Sequence, residues 1–163
     1  NKMIKLIIMI ILSYFLGAIS FSYLITKIYL KKDIRELGSK NAGATNVFRS
    51  VGKIPGILTL ILDILKGFFV VKISYIFFPN SLIHAVIFGC ITIISHSFSI
   101  FLNFKGGKSV ATTLGVFCGI APLAIFIALI IFIACLGFFG FVSLSSIIAA
   151  FCLPFIIYSN SKS

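Results

Sequence analysis

The chain has 163 residues, of which 60% are apolar and only 10% charged, with a mean hydropathy of +1.22. Soluble domains run near half apolar and about a quarter charged, so a soluble globule, a disordered chain, a collagen-like repeat and a disulfide-rich secreted module are all excluded. Fourteen Lys and Arg face three Asp and Glu, a balance of +11, yet no aromatic-interleaved basic pattern points to nucleic acid. The excess fits positively charged loops beside a membrane and contact with anionic headgroups or phosphorylated substrates.

At roughly 20 apolar residues per crossing, a chain of this length holds about six membrane spans joined by short loops. The fold class is therefore an all-α integral membrane protein, a polytopic helical bundle forming a single domain over 1–163. The first apolar run covers 4–30 and is too long for a cleaved signal peptide. The one long polar stretch, 31–53, holds Lys31, Lys32, Arg35, Lys40, Arg49 and Lys53 against Asp33 and Glu36. A second span covers 54–78 and carries Asp63, Lys66 and Lys72; Pro79-Asn80-Ser81 makes an uncharged turn. A third span, 82–104, carries His84 and His96, and Lys105-Gly106-Gly107-Lys108 interrupts the pattern. The remainder is almost uncharged, and Pro122 and the Gly137/Gly140 pair divide it into spans at 109–120, 121–139 and 141–158.

Charge orients the bundle. Six cations follow the first span, none the second and two the third, which places 31–53 and 105–108 in the cytoplasm and the N-terminus outside. Both polar loops then meet on one membrane face. Cys90, Cys118, Cys135 and Cys152 lie inside apolar runs without metal-ligand spacing and read as packing residues. Neither a metal site nor a cofactor site is expected.

The stretch Gly38-Ser39-Lys40-Asn41-Ala42-Gly43-Ala44-Thr45-Asn46-Val47-Phe48-Arg49 concentrates small residues, hydroxyls, amides and a guanidinium. Glycines admit an anion close to backbone N–H groups, and Arg offers a planar fork for phosphate. A polar connector with helix caps has the same composition, so the residues alone leave both readings open. In 104–109, Phe-Lys-Gly-Gly-Lys-Ser imitates the end of a P-loop, but Leu102 stands where its first glycine belongs and no strand precedes it. What remains there is an anion nest before a helix, or a glycine turn with surface lysines. Asp63 and Lys66, three apart on one helical face, read as a structural ion pair. His96 reads as a packed or hydrogen-bonded residue, His84 as uninvolved, and the GxxxG of Gly115 and Gly119 as a close helix contact.

Together GSKNAGATNVFR, the DxxKG of Asp63, Lys66 and Gly67, and SHSFSIFLNFKGGKSVAT resemble the bacterial acyl-phosphate:glycerol-3-phosphate acyltransferases, the PlsY family. The family motifs are GSGNPGATNxxR and GHxFPxFxxFKGGKGVAT. The similarity runs from Ser13 through Thr112 and more loosely to Ala149. Lys40, Ala42, Ser95, Ser99 and Ser109 depart from it, standing where the family has Gly, Pro, Gly, Pro and Gly.

The resemblance implies a small multi-pass enzyme of the bacterial inner membrane. It transfers a fatty acyl group from acyl phosphate to the 1-hydroxyl of glycerol 3-phosphate, giving lysophosphatidic acid and phosphate. It implies Ser39, Arg49 and Lys108 as the catalytic set. Gly38, Asn41, Gly43, Thr45, Asn46, His96, Lys105, Gly106 and Gly107 would handle substrate and phosphate. Glycerol 3-phosphate, acyl phosphate and membrane lipid are the implied partners. It also implies a seventh span and a third motif with His, Asn and Arg, so against that pattern the chain reads either as C-terminally truncated or as a degenerate member. A small anion transporter would instead show internal repeats and polar midplane residues, and a noncatalytic scaffold would need neither loop.

Overall fold

The computed structural model describes residues 1–160, and these are helical with no strand among them. Two compact units divide the chain at Ile120. The first contains α1 (Lys2–Ala18), α2 (Phe21–Leu30), α3 (Ala44–Ser50), α4 (Lys53–Phe77), α5 (Leu82–Ser97) and α6 (Val110–Ile120), with 3-10 turns at Ile34–Glu36 and Ile100–Leu102. The second contains α7 (Pro122–Phe139) and α8 (Val142–Asn160).

The apolar run 4–30 is not one continuous helix. It breaks at Ile19-Ser20, where Ser20 caps α2 by accepting a hydrogen bond from the Tyr23 amide at 3.4 Å. A break leaves carbonyls without helical partners, a costly state in an apolar medium. Here the Ala18 carbonyl accepts from Ser99 Oγ at 2.6 Å and the Ile19 carbonyl from Lys66 Nζ at 2.7 Å. Among the described residues four segments are long and apolar enough to cross a membrane: Lys2–Leu30, Lys53–Phe77, Leu82–Leu102 and Pro122–Phe139. The 11 residues of α6 rise only about 16 Å, half a hydrocarbon thickness.

Small residues bring the helices of the first unit together, as expected where lipid offers no hydrophobic drive between helices. α4 packs most closely on α6, with Gly67 of α4 facing the Thr112 carbonyl and Gly115 of α6 facing the Ile64 carbonyl. Thr92 Oγ1 on α5 donates to the Ser13 carbonyl of α1 at 3.3 Å. Ser109 Oγ donates to the Ile93 carbonyl at 2.7 Å. Apolar cores alternate with these contacts: Met9, Val70, Phe78 and Phe88 form one, and Ile25, Ile34, Val47 and Leu102 another beneath the polar loops.

The start of α1 meets the α4–α5 turn, where His84 stacks on Phe78 at 4.0 Å and bonds Ser81. The loops 31–43 and 98–109 meet at the opposite end of this unit, joined by Arg35 Nη1 donating to the Leu102 carbonyl at 2.8 Å. The second unit begins with Pro122 at the first turn of α7 and turns at Gly140, which has φ +73. The helices α7 and α8 pack on each other, and α7 exposes Leu123, Phe126, Ile130 and Ile133, as a lipid-facing helix does.

The two glycines of α6 differ in what a side chain would meet. A Cβ on Gly115 collides with the Ile64 backbone, whereas one on Gly119 meets the Val71 side chain at 2.7 Å. Gly115→Ala is expected to destabilise by about 1–3 kcal/mol, the usual cost of overpacking, and Gly119→Ala by less because its nearest backbone neighbour, the Phe68 carbonyl oxygen, lies 3.3 Å away. Thermal unfolding in detergent measures both; equal losses would refute backbone contact as the cause.

Candidate functional site

A cavity of about 640 Å³ opens where the two polar loops meet α4 and α5. The first loop and α3 contribute Ser39, Lys40, Asn41, Gly43, Thr45, Asn46 and Arg49 to its wall. The second loop contributes Lys108 and Ser109, and the helices supply Asp63 and His96. Leu60, Val110, Ala111 and Leu114 form an apolar part of the same wall. Ser39, Arg49 and Lys108 thus share one cavity, together with Asn41, Gly43, Thr45, Asn46 and His96. Gly38, Lys105, Gly106 and Gly107 lie outside its wall.

The first loop is held in shape by one amide. Asn46 is buried, and its Nδ2 donates to the carbonyls of Ile34, Leu37 and Asn41 at 3.1, 2.9 and 3.1 Å. Its Oδ1 accepts from the Ser39 amide at 3.0 Å and from Ser50 Oγ at 3.2 Å. A side chain with this many internal partners sets the loop's course, including the backbone that carries Ser39. A second clasp lies at Arg35, whose guanidinium grips both oxygens of Asp33, the closest contact being 2.6 Å. That hydrogen-bonded guanidinium holds the Asp33 carboxyl below its ordinary value and raises Arg35 in turn. A lowered folded value means that the clasp stabilises at neutral pH and is lost only as pH falls through that lowered value.

In the second loop the amides of the two glycines are not free for an anion. The Gly106 amide donates to the Ser97 carbonyl at 2.9 Å and the Gly107 amide to the His96 carbonyl at 3.2 Å, so both donors are spent on α5. Gly107 is instead needed for close approach: a side chain there would strike the Ala42 carbonyl and His96 Nε2. Gly106 seats the loop against the end of α5 and Gly107 seats it against the first loop, leaving Lys108, which is exposed, at the cavity.

Asp63 and His96 belong to a cluster that extends the expected ion pair. Lys66 Nζ lies 2.8 Å from Asp63 Oδ1, 2.6 Å from His96 Nδ1 and 2.7 Å from the Ile19 carbonyl. The ammonium hydrogen-bonds the Ile19 carbonyl at the break between α1 and α2 and His96 Nδ1 on α5, and ion-pairs with Asp63 on its own helix. Because Lys66 donates to Nδ1, the His96 proton resides on Nε2, on the side of Gly107. All three side chains are buried. Sequence reasoning found the pair but missed the Ile19 carbonyl, since a backbone group freed by a helix break leaves no mark in composition. It also missed Arg35 as a tie between loops. Among the described residues no group of His, Cys, Asp and Glu is arranged to hold a metal ion.

Removing one partner of a buried ion pair costs about 3–5 kcal/mol, and Lys66→Met is expected to fall in that range. Converting Asp63 to Leu as well should recover only part of the loss, because the Ile19 carbonyl and His96 Nδ1 still lack their donor. Unfolding midpoints of the single and double variants test this; complete recovery would mean that the pair acts alone.

The family model for glycerol-3-phosphate acyltransferase matches residues 7–161. A glycerol-3-phosphate acyltransferase of Staphylococcus haemolyticus is 47% identical, the match covering 90% of this chain and 76% of that protein. Glycerol-3-phosphate acyltransferase 2 of Bacillus anthracis is 44% identical over 94% of this chain and 78% of its own length. Among solved structures, the crystal structure of PlsY (YgiH), an integral membrane glycerol 3-phosphate acyltransferase, in its glycerol 3-phosphate form superposes with a TM-score of 0.81 at 34% identity. That likeness covers 95% of this chain and 77% of the other, and the lysophosphatidic acid form gives a TM-score of 0.78. A family match of this extent, with relatives this similar, establishes that the chain belongs to the glycerol-3-phosphate acyltransferase family of integral membrane proteins.

Proposed function

We infer that this chain transfers a fatty acyl group from an acyl phosphate to the 1-hydroxyl of glycerol 3-phosphate, releasing lysophosphatidic acid and inorganic phosphate. The observation that carries the assignment to this site is the convergence of Ser39, Arg49 and Lys108, drawn from two separate loops, on one cavity with both a cationic and an apolar wall. Both substrates bear phosphate and one bears an acyl tail, so such a wall matches their chemistry. The donor is a mixed anhydride. The attacking hydroxyl oxygen forms a bond to the acyl carbon, the bond from that carbon to the phosphate oxygen breaks, and the hydroxyl proton passes to the departing phosphate. Chemistry of this kind needs positioning and charge stabilisation more than a protein nucleophile.

Within this reading Arg49 binds phosphate through its planar fork and Lys108 supplies a point charge. Ser39, fixed through its amide on Asn46, orients substrate. We read the whole chain as one polytopic domain with about six crossings, both loops in the cytoplasm and the N-terminus outside the inner membrane. The six cations of 31–53 and the two of 105–108, against none in the α4–α5 turn, support that orientation.

Acyl-phosphate consumption that depends on glycerol 3-phosphate is the direct test, followed as released inorganic phosphate. Arg49→Lys and Lys108→Ala are each expected to lower turnover about a hundredfold, the scale for losing one preorganised charge-stabilising group. Ser39→Ala should slow turnover while mass spectrometry finds no acyl-serine in the unmodified protein. An acylated Ser39, or unchanged kinetics for Lys108→Ala, would overturn the assignment.

Orientation is tested separately. A cysteine at position 40 should react with an impermeant thiol reagent only from the cytoplasmic side, and one at position 80 only from outside. The opposite pattern would reverse the bundle.

A further inference from the structure

Lys40 holds a left-handed backbone, φ +58, a conformation that L side chains adopt only against steric resistance. It is stabilised locally by one bond, the Lys40 amide donating to the Leu37 carbonyl at 2.9 Å, which a glycine at the same position would make equally well. The strain therefore brings no advantage to the turn. What the lysine adds is its ammonium, which lines the cavity with Arg49 and Lys108 and has no carboxylate within ion-pair distance among the described residues. The other cation beneath this cavity, Lys66, is already engaged by Asp63. Two phosphate groups entering together carry about −1.5 to −2 each if they resemble a phosphoserine, more than Arg49 and Lys108 can offset.

We propose that Lys40 is a third phosphate-binding cation of this site, raising its affinity for the phosphate group of an incoming substrate at the expense of backbone strain. The proposal rests on the acyltransferase reading for the identity of that substrate, but its phosphate chemistry can be tested alone. A lysine on a polar loop could also meet lipid headgroup phosphate, so the medium is part of the test.

The probe is inorganic phosphate, titrated against the full chain in a phosphate-free maltoside detergent and followed as a shift in melting temperature. Lys40→Gly should melt no lower than the unmodified chain, since it relieves the turn. It should also need about threefold to fivefold more phosphate for the half-maximal shift, the scale of one partly exposed charge. Lys40→Arg should stay close to the unmodified chain. An unchanged phosphate midpoint in Lys40→Gly overturns the proposal, as does the absence of any phosphate shift in the unmodified chain. An effect confined to nanodiscs of anionic lipid overturns it too and assigns Lys40 to the membrane surface. If Lys40-dependent phosphate binding is found without acyl transfer, the proposal stands and the acyltransferase reading falls; turnover with an unaltered midpoint does the reverse.

Discussion

The ammonium of Lys66 is the contact on which the rest of the first unit depends. A lysine inside an apolar helix is expensive unless every hydrogen finds an acceptor. Here the ammonium is held from three separate stretches of chain: it ion-pairs with Asp63 on the same helix and hydrogen-bonds His96 on α5 and the carbonyl of Ile19. The last is available only because the first apolar run breaks there. The break and the buried lysine therefore stabilise each other, the helix interruption supplying the acceptor and the lysine satisfying the carbonyl. Both arms of the broken helix are fixed against α4 and α5 in consequence, and the polar loops that follow α2 and α5 leave from fixed points.

Above that cluster the loops divide their work between residues that build and residues that face the cavity. Asn46, Asp33 and Arg35 spend their polar atoms on backbone and on each other. Gly106 and Gly107 spend their amides on α5. Ser39, Lys40, Arg49 and Lys108 are exposed and line the cavity, so their polar ends are available to a ligand. One polar stretch thus holds two populations that composition cannot tell apart, because an amide that binds phosphate and an amide that binds carbonyls have the same formula.

That distinction decides how much was legible in advance. The all-helical membrane fold follows from hydropathy alone, and the divisions at Pro122 and Gly140 from the two residues that most strongly stop helices. The convergence of two loops followed from charge alternation, and the close GxxxG contact from small residues at helical spacing. The break at Ile19-Ser20 was not legible, since an Ile-Ser pair within an apolar run carries no stop signal of its own. At Gly106-Gly107 a nest and a plain glycine turn were both open readings, and the two glycine amides turn out to be bonded within the protein. Two glycines permit a nest, but they also permit two loops to touch, and the nearby carbonyls of His96 and Ser97 settled the choice through tertiary contact. Lys40 was visible as a departure from the family pattern, but only its φ shows what the departure costs the backbone.

The distribution of acids explains why the cavity is suited to anions. The chain has three: Asp33, Glu36 and Asp63. Asp33 is committed to Arg35, and Asp63 to Lys66. Among the described residues neither Lys40, Arg49 nor Lys108 has an ion-pair partner, although all three line one cavity. Like charges gathered at the edge of an apolar bundle repel. A carboxylate placed among them would relieve that repulsion and would also occupy the binding position. Asp33 and Asp63 are thus held on Arg35 and Lys66 and leave the three cavity cations unpaired, although Asp63 itself reaches the cavity wall.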